Sequence, residues 1–143
     1  MKKNRTIKRG DKLHYLYFYI NHAGTIIYIG ETNDIQRRNC EHLKKYWADE
    51  IAGIYIAKIA TQYLAEIYEG FLIDKYNPIH NEQHPSKWLS YYGNCEDETS
   101  KINYIFIAKD ILQKFRPMNT YGFLESLYYQ DKRTYLLVAK ELL

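Results

Sequence analysis

Cysteine is scarce in this chain of 143 residues: there are two, Cys40 and Cys95. They form no CxxC pair and share no spacing typical of a metal site, so neither a disulfide framework nor a cysteine-built zinc site is expected. A RING-like cysteine set is absent as well. Long apolar runs are also missing. The stretch from Leu13 to Ile20 is short and carries four Tyr or His residues, so it reads as a strand and neither as a membrane span nor as the core of a signal peptide. The expectation is a cytoplasmic protein in a reducing compartment. No internal repeat and no low-complexity linker divides the chain.

What is present fits a small globular protein. Apolar residues make up 46% and charged residues 26%, and the length suits one domain with its own core. Tyrosine is abundant at 16 copies, which an AT-rich coding sequence would also produce. Tyr15, Tyr19, Tyr91 and Tyr92 are candidates either for stacking unpaired bases or, as is more common, for packing with their hydroxyls at the surface. The net charge of +3 decides little, but its distribution is uneven. Lys2, Lys3, Arg5, Lys8 and Arg9 crowd the first ten residues without an acid. Such an arm suits a polyanion, although a solvated terminus has the same composition.

The pattern of apolar residues then orders the chain. Residues 14–20 alternate, with Tyr15, Tyr17 and Tyr19 on one face and Leu16, Phe18 and Ile20 on the other. Turn residues 21–24 lead into a second short strand, so a hairpin is expected. Gly30 is read as the end of that strand. Thr32, Asn33 and Asp34 offer N-cap side chains for a helix over 34–47, whose core stripe would hold Ile35, Leu43 and Tyr46 or Trp47. Arg38 and His42, four apart, would stack on a neighbouring face, with Arg37 pointing to solvent beside Glu41. A third strand follows over 54–60, then a buried helix over 62–76 that Asn77-Pro78 stops. Beyond Pro85 the signals thin. A short helix over 86–92, an acidic loop at 96–98, a strand over 102–108 and helices over 109–115 and 119–129 are expected; residues 134–143 read as strand or helix.

Glu69 is the anomaly. A carboxylate in the middle of an apolar helix is costly unless it is paired or holds a metal, so it marks a core salt bridge or a metal ligand. Gly70 beside it costs about 1 kcal/mol against Ala in a helix, which points to a close backbone approach or to tight helix packing. Arg38, His42, Tyr17, Tyr28 and Asn81 supply what phosphodiester chemistry needs around such a ligand. These needs are a guanidinium for phosphate and hydroxyl or imidazole groups for protons.

The spacing of these residues resembles a known family. Tyr15-Leu16-Tyr17 and, eleven residues after Tyr17, Tyr28-Ile29-Gly30 resemble the two halves of the motif that names the GIY-YIG nucleases, the first half in altered form. Arg38, ten residues past Tyr28, and His42 resemble the arginine and histidine that follow. Glu69-Gly-Phe-Leu-Ile with Pro78 and Asn81 is similar to the later segment, and the strand and helix order agrees. The resemblance covers about residues 13–81. It implies an α+β fold, a three-stranded antiparallel sheet flanked by helices, within a core of 13–84. The basic arm (1–12) precedes that core, and an α/β C-terminal extension (85–143), packed on the core and without a recognised motif, follows it.

The resemblance also implies roles. Glu69 would be the sole protein ligand of Mg²⁺ or Mn²⁺, and Arg38 would hold the scissile phosphate. Tyr17 would serve as general base or water-positioning hydroxyl, supported by Tyr28 and His42. A basic role would require the metal or Arg38 to lower its pKa. Gly30 would let the backbone turn into the helix, and Asn81 would orient the site. Lys2, Lys3, Arg5, Lys8, Arg9 and Arg37 would contact nucleic acid, with DNA the expected substrate. The activity implied is metal-dependent endonucleolytic cleavage; the alternative is a nucleic-acid-binding protein on the same scaffold that no longer cuts. Glu31 departs from the family pattern, since an acid beside a phosphate site must point away or help hold the metal. His80 and His84, four apart, could mimic a zinc pair but have no further ligand. His14 and His22 read as ordinary strand and turn residues.

Overall fold

In the structure, a computed structural model that describes residues 14–82 and 87–112, four strands form one antiparallel sheet. β1 (His14–Ile20) and β2 (Ile26–Thr32) make the expected hairpin, and β3 (Gly53–Ile59) pairs along the other side of β1. The order β2-β1-β3 is extended by β4 (Ile105–Ala108), so the sheet has one strand more than the three expected. The extra strand comes from the C-terminal extension. Ile105 and Ile107 fall opposite Ile56 and Ile54, which completes an apolar row. The basic arm lies outside the described residues, as do His84, the rest of the C-terminal segment beyond residue 112, and the elements expected there. Among the described residues, no helix is long and apolar enough to cross a membrane.

The alternation in β1 sets two cores, one per face. Tyr15, Tyr17 and Tyr19 pack with Ile54, Ile56, Ile105 and Ile107 under α1 (Ile35–His42), Trp47, Ile51 and α4 (Lys109–Leu112). Leu16, Ile29 and Ile59 pack on the other face beneath α2 (Gln62–Tyr76) and α3 (Cys95–Ser100). Tyr15 and Tyr19 are therefore packing residues, not stacking platforms, whereas Tyr92 is fully exposed.

Local chemistry fixes the helix ends. The Asp34 carboxylate accepts from the Arg37 N–H and caps α1; Thr61 does the same for α2 through Leu64 N–H. α2 spans the residues expected of it and ends at Asn77, which takes the left-handed conformation (φ 45°) that asparagine tolerates, just before Pro78. α1 is shorter than expected. After His42 the Lys44 and Lys45 amides bond back to the carbonyls of Glu41 and His42, a tighter three-residue winding. This rotates Trp47 inward and leaves Tyr46 outside, 89% exposed. The acidic run 96–98, expected as a loop, is the first turn of α3, where its charges favour the helix N-terminus and Asn94 supplies the cap. The first strand of the expected 102–108 segment begins only at Ile105.

β2 is an outer strand, and its unpaired edge is where α2 and the chain after it attach. The Ile27 carbonyl accepts from the His80 N–H at 3.0 Å. The Asn81 side chain pairs with both backbone groups of Ile29, accepting from its N–H at 2.9 Å and donating to its carbonyl at 2.8 Å. A register shift near Tyr19 and Ile20 turns Ile27 and Tyr28 toward the same core.

The extension is bound to α2 from the other side. Glu98 accepts from the hydroxyls of Tyr68 (2.5 Å) and Tyr91 (2.6 Å), and Lys75 pairs with Glu96. Asn81→Ala should therefore lower the unfolding free energy by about 2 kcal/mol, two net hydrogen bonds, in denaturant titration. Asn81→Asp, which can accept from Ile29 N–H but cannot donate to its carbonyl, should fare no better; wild-type stability in both variants would show that the clamp contributes nothing.

Candidate active site

The site residues converge at the outer edge of β2, where a helix from each face of the sheet reaches past the strand. β1 contributes Tyr17, buried to 0% exposure. Its cross-strand partner is Gly30. A Cβ built on Gly30 would lie 2.5 Å from the Tyr17 hydroxyl oxygen, so only glycine leaves room for that phenol. Gly30 sits inside β2, which continues to Thr32. Its expected role in turning the backbone into the helix is thus corrected: it is the space into which Tyr17 fits.

Around Tyr17 lies a layer of neutral polar aromatics. His42 Nε2 and the Tyr17 hydroxyl share a hydrogen bond of 2.9 Å. The His42 ring also packs on Tyr28 (centroids 4.5 Å apart) and on Trp47 (5.7 Å). The Tyr19 hydroxyl donates to the Asn39 side chain at 2.9 Å. Burial, and then the charges of Arg38 and Lys45, push the His42 pKa down to about 4, so the imidazole is neutral at physiological pH. Among the described residues its buried Nδ1 has no partner. An orphaned N–H is rarer and costlier than a bare lone pair, which favours the tautomer in which Nε2–H donates to the Tyr17 oxygen. Burial also drives the Tyr17 phenol well above its ordinary range, and the proximity of Arg38 offsets this only in part. Tyr17 therefore stands as a neutral phenol.

The charged layer lies above this one. The Arg38 guanidinium sits beside the hydroxyls of Tyr17 and Tyr28. It donates to Glu41 at 2.5 Å, while Arg37, more exposed, reaches the same carboxylate at 3.2 Å and Asp34 at 3.7 Å. Glu41 thus orients Arg38, a role that the sequence suggested only for its pairing with Arg37.

Glu69 comes from α2, on the opposite face. Burial and then the Glu31 charge raise its pKa to about 7; the Glu31 backbone N–H, which bonds the carboxylate, and Arg38 work in the other direction. The Glu31 carboxylate is hydrogen-bonded to His14 Nδ1 at 2.9 Å, on the same face of the hairpin. His14 is a strand residue, as expected, and is 5% exposed.

Two hollows meet at Arg38 and Glu69. One, of about 860 Å³, runs along Tyr28, His42, Lys44 to Trp47 and His80 to Glu82. The other, of about 750 Å³, is lined by His14, Glu31, Asn33, Arg37 and Gln62. Five of the six residues expected to be catalytic thus line or border one groove: Tyr28, Arg38, His42, Glu69 and Asn81 face the first hollow, and Tyr17 lies directly beneath. Asn81 spends its amide on Ile29, so it positions the strand and is committed to that task. His80 stacks on Trp47 and bonds Glu50, which accounts for it without zinc.

Among the described residues no three His, Cys, Asp or Glu side chains are grouped to hold a metal. Where the two hollows meet, Glu69 is a suitable donor. It is a hard oxygen ligand whose charge is disfavoured where it lies, and its groove is open to water and phosphate for the remaining ligands.

The geometry agrees with one comparison. Residues 13–83 match the family described as the GIY-YIG catalytic domain. No curated protein and no solved structure is matched.

The neutral His42 makes acid stability a probe of this layer. Its folded pKa is below the ordinary 6.5, so the stability it contributes is present above pH 6.5 and is lost as pH falls toward 4. The loss amounts to at most about 3 kcal/mol. In urea titrations from pH 8 to pH 4, His42→Gln should show a shallower decline below pH 6.5 than the wild type; parallel curves would show that His42 is not the buried neutral group described.

Proposed function

The chain belongs to the GIY-YIG nuclease superfamily through residues 13–83, and on that premise we propose that it is a divalent-metal-dependent endonuclease that hydrolyses nucleic-acid phosphodiester bonds, DNA foremost. The observation that carries the proposal is the meeting of Arg38 and Glu69 at one groove, with the Tyr17–His42 pair directly beneath. A scaffold used only for binding has no need of a half-buried carboxylate set against a guanidinium, and that carboxylate would repel the phosphate.

Each residue has a task in this reading. Arg38, held by Glu41, binds the phosphate and stabilises the charge that develops on its oxygens. Glu69 would hold Mg²⁺ or Mn²⁺, which when bound supplies charge neutralisation at the phosphate and a more acidic water. Tyr17 is a neutral phenol buried beneath the groove, so its part is to brace Arg38 from below while His42 fixes the phenol oxygen. Tyr28 adds a second hydroxyl beside Arg38. Asn81 and Gly30 hold the strand and the phenol in place. Lys2, Lys3, Arg5, Lys8 and Arg9 lie outside the described residues and would add charge for the polyanion.

The direct test is cleavage of labelled single- and double-stranded DNA and RNA with Mg²⁺ or EDTA; no cleavage of any substrate would leave the binding-only alternative. The two neighbouring arginines sharpen it. Arg38→Ala should cost on the order of 3–4 kcal/mol in single-turnover cleavage. Arg38→Lys should rescue poorly, since an ammonium lacks the planar fork. Arg37→Ala, which removes an exposed side chain, should affect binding more than turnover. An inactive Arg37→Ala beside an active Arg38→Ala would overturn the assignment.

A further inference from the structure

Tyr46 is the side chain that the fold and the proposed chemistry leave unused. Its ring is 89% exposed, next to Trp47 at 4%. Exposure alone says little, but this ring stands on a built support. His80 meets it edge-on, with centroids 5.8 Å apart, and stacks flat on Trp47 at 4.7 Å and 6°. His80 is in turn fixed by Glu50 at 2.8 Å and by its backbone bond to Ile27 on β2. The outer face of Tyr46 is thus offered to solvent from a rigid base. Lys44 and Lys45 precede it and are both exposed; among the described residues neither appears in an ion pair. All three line the larger hollow, which leads to Arg38 and Glu69. The lining holds three carboxylates: Glu41, engaged by Arg37 and Arg38, Glu69 of the candidate site, and the exposed Glu82.

An aromatic face flanked by cations beside a phosphate-binding arginine suits one ligand chemistry, a nucleotide with an accessible base. Within a duplex both faces of a base are covered by its neighbours in the stack. A base can lie on Tyr46 only where the strand is unpaired or has been opened. We infer that Tyr46, with Lys44 and Lys45, forms a subsite for an unpaired nucleotide flanking the scissile phosphate, which directs the enzyme to single-stranded segments, flaps or bulges. The inference rests on the nuclease reading and adds the form of the substrate.

The test compares wild type, Tyr46→Ala, Tyr46→Phe and, as a control for an exposed tyrosine elsewhere, Tyr92→Ala. Binding is measured by fluorescence anisotropy in EDTA, with a labelled single-stranded DNA oligonucleotide and with the blunt duplex of the same sequence. Tyr46→Ala should weaken binding to the single strand by about tenfold while leaving the duplex essentially unchanged. Tyr46→Phe, which keeps the ring, should bind like the wild type, as should Tyr92→Ala. A 2-aminopurine placed in the single strand should be quenched by the wild type at one position and not by Tyr46→Ala. Equal affinities of wild type and Tyr46→Ala for the single strand, in a protein that binds and cuts, would overturn the subsite and leave the nuclease reading standing. Failure of the wild type to bind either oligonucleotide would overturn both.

Discussion

The outer edge of β2 is the constraint on which the site depends. An edge strand presents unpaired N–H and C=O groups that must find partners. Here the Ile27 carbonyl takes the His80 amide, Ile29 takes both ends of the Asn81 side chain, and the Glu31 amide takes the Glu69 carboxylate. All three partners come from α2 or the few residues after it. The same contacts that close the sheet edge therefore place the candidate metal ligand, fix the loop that carries the Trp47–His80 stack, and bring α2 toward α1 across the thickness of the sheet. A carboxylate on the far face of a sheet would not otherwise meet an arginine on the near one.

Burial then sorts the polar groups into two layers. Beneath the groove, desolvation keeps Tyr17, Tyr19 and His42 neutral, and hydrogen bonds satisfy most of their polar atoms. At the groove, Arg38 keeps its charge, held by Glu41, while burial and the Glu31 charge raise the Glu69 carboxyl to about 7, where a cation beside it would favour the ionised form. The lower layer gives orientation and the upper one gives electrostatics, a division suited to phosphoryl chemistry, in which positioning and charge stabilisation dominate. Gly30 joins the layers, because a larger residue there would displace the Tyr17 hydroxyl.

Much of this was legible in the sequence where periodicity is strong. The alternation of residues 14–20 gave the central strand and its two faces, and the apolar helix with its Thr61 cap and Asn77-Pro78 stop was placed at 62–76. The four-residue spacing of Arg38 and His42 separated Arg38 from Arg37, and the exposures of the two side chains follow it. The misses share a cause: they depend on contacts distant in sequence. The end of α1 at His42 is set by Trp47 turning into the core, and no local stop signal marks it. The strand expected over 102–108 joins the sheet as its fourth member because Ile105 and Ile107 find β3. Gly30 reads as a turn until Tyr17 is seen opposite it. Glu31 reads as a misplaced acid until His14, seventeen residues away, is found beside it. The acids 96–98 are the local exception: they read as a loop, yet Asn94 caps them into the first turn of α3.

The account rests on Glu69 serving chemistry and not structure, and one substitution separates these. In Glu69→Gln the half-buried charge that resists its surroundings is gone while the shape remains. The variant should fold with stability at least equal to the wild type, bind nucleic acid as well or better, and fail to cleave at any Mg²⁺ or Mn²⁺ concentration. Measured together on one labelled DNA, cleavage at the wild-type rate, or loss of the folded state with loss of activity, would contradict it.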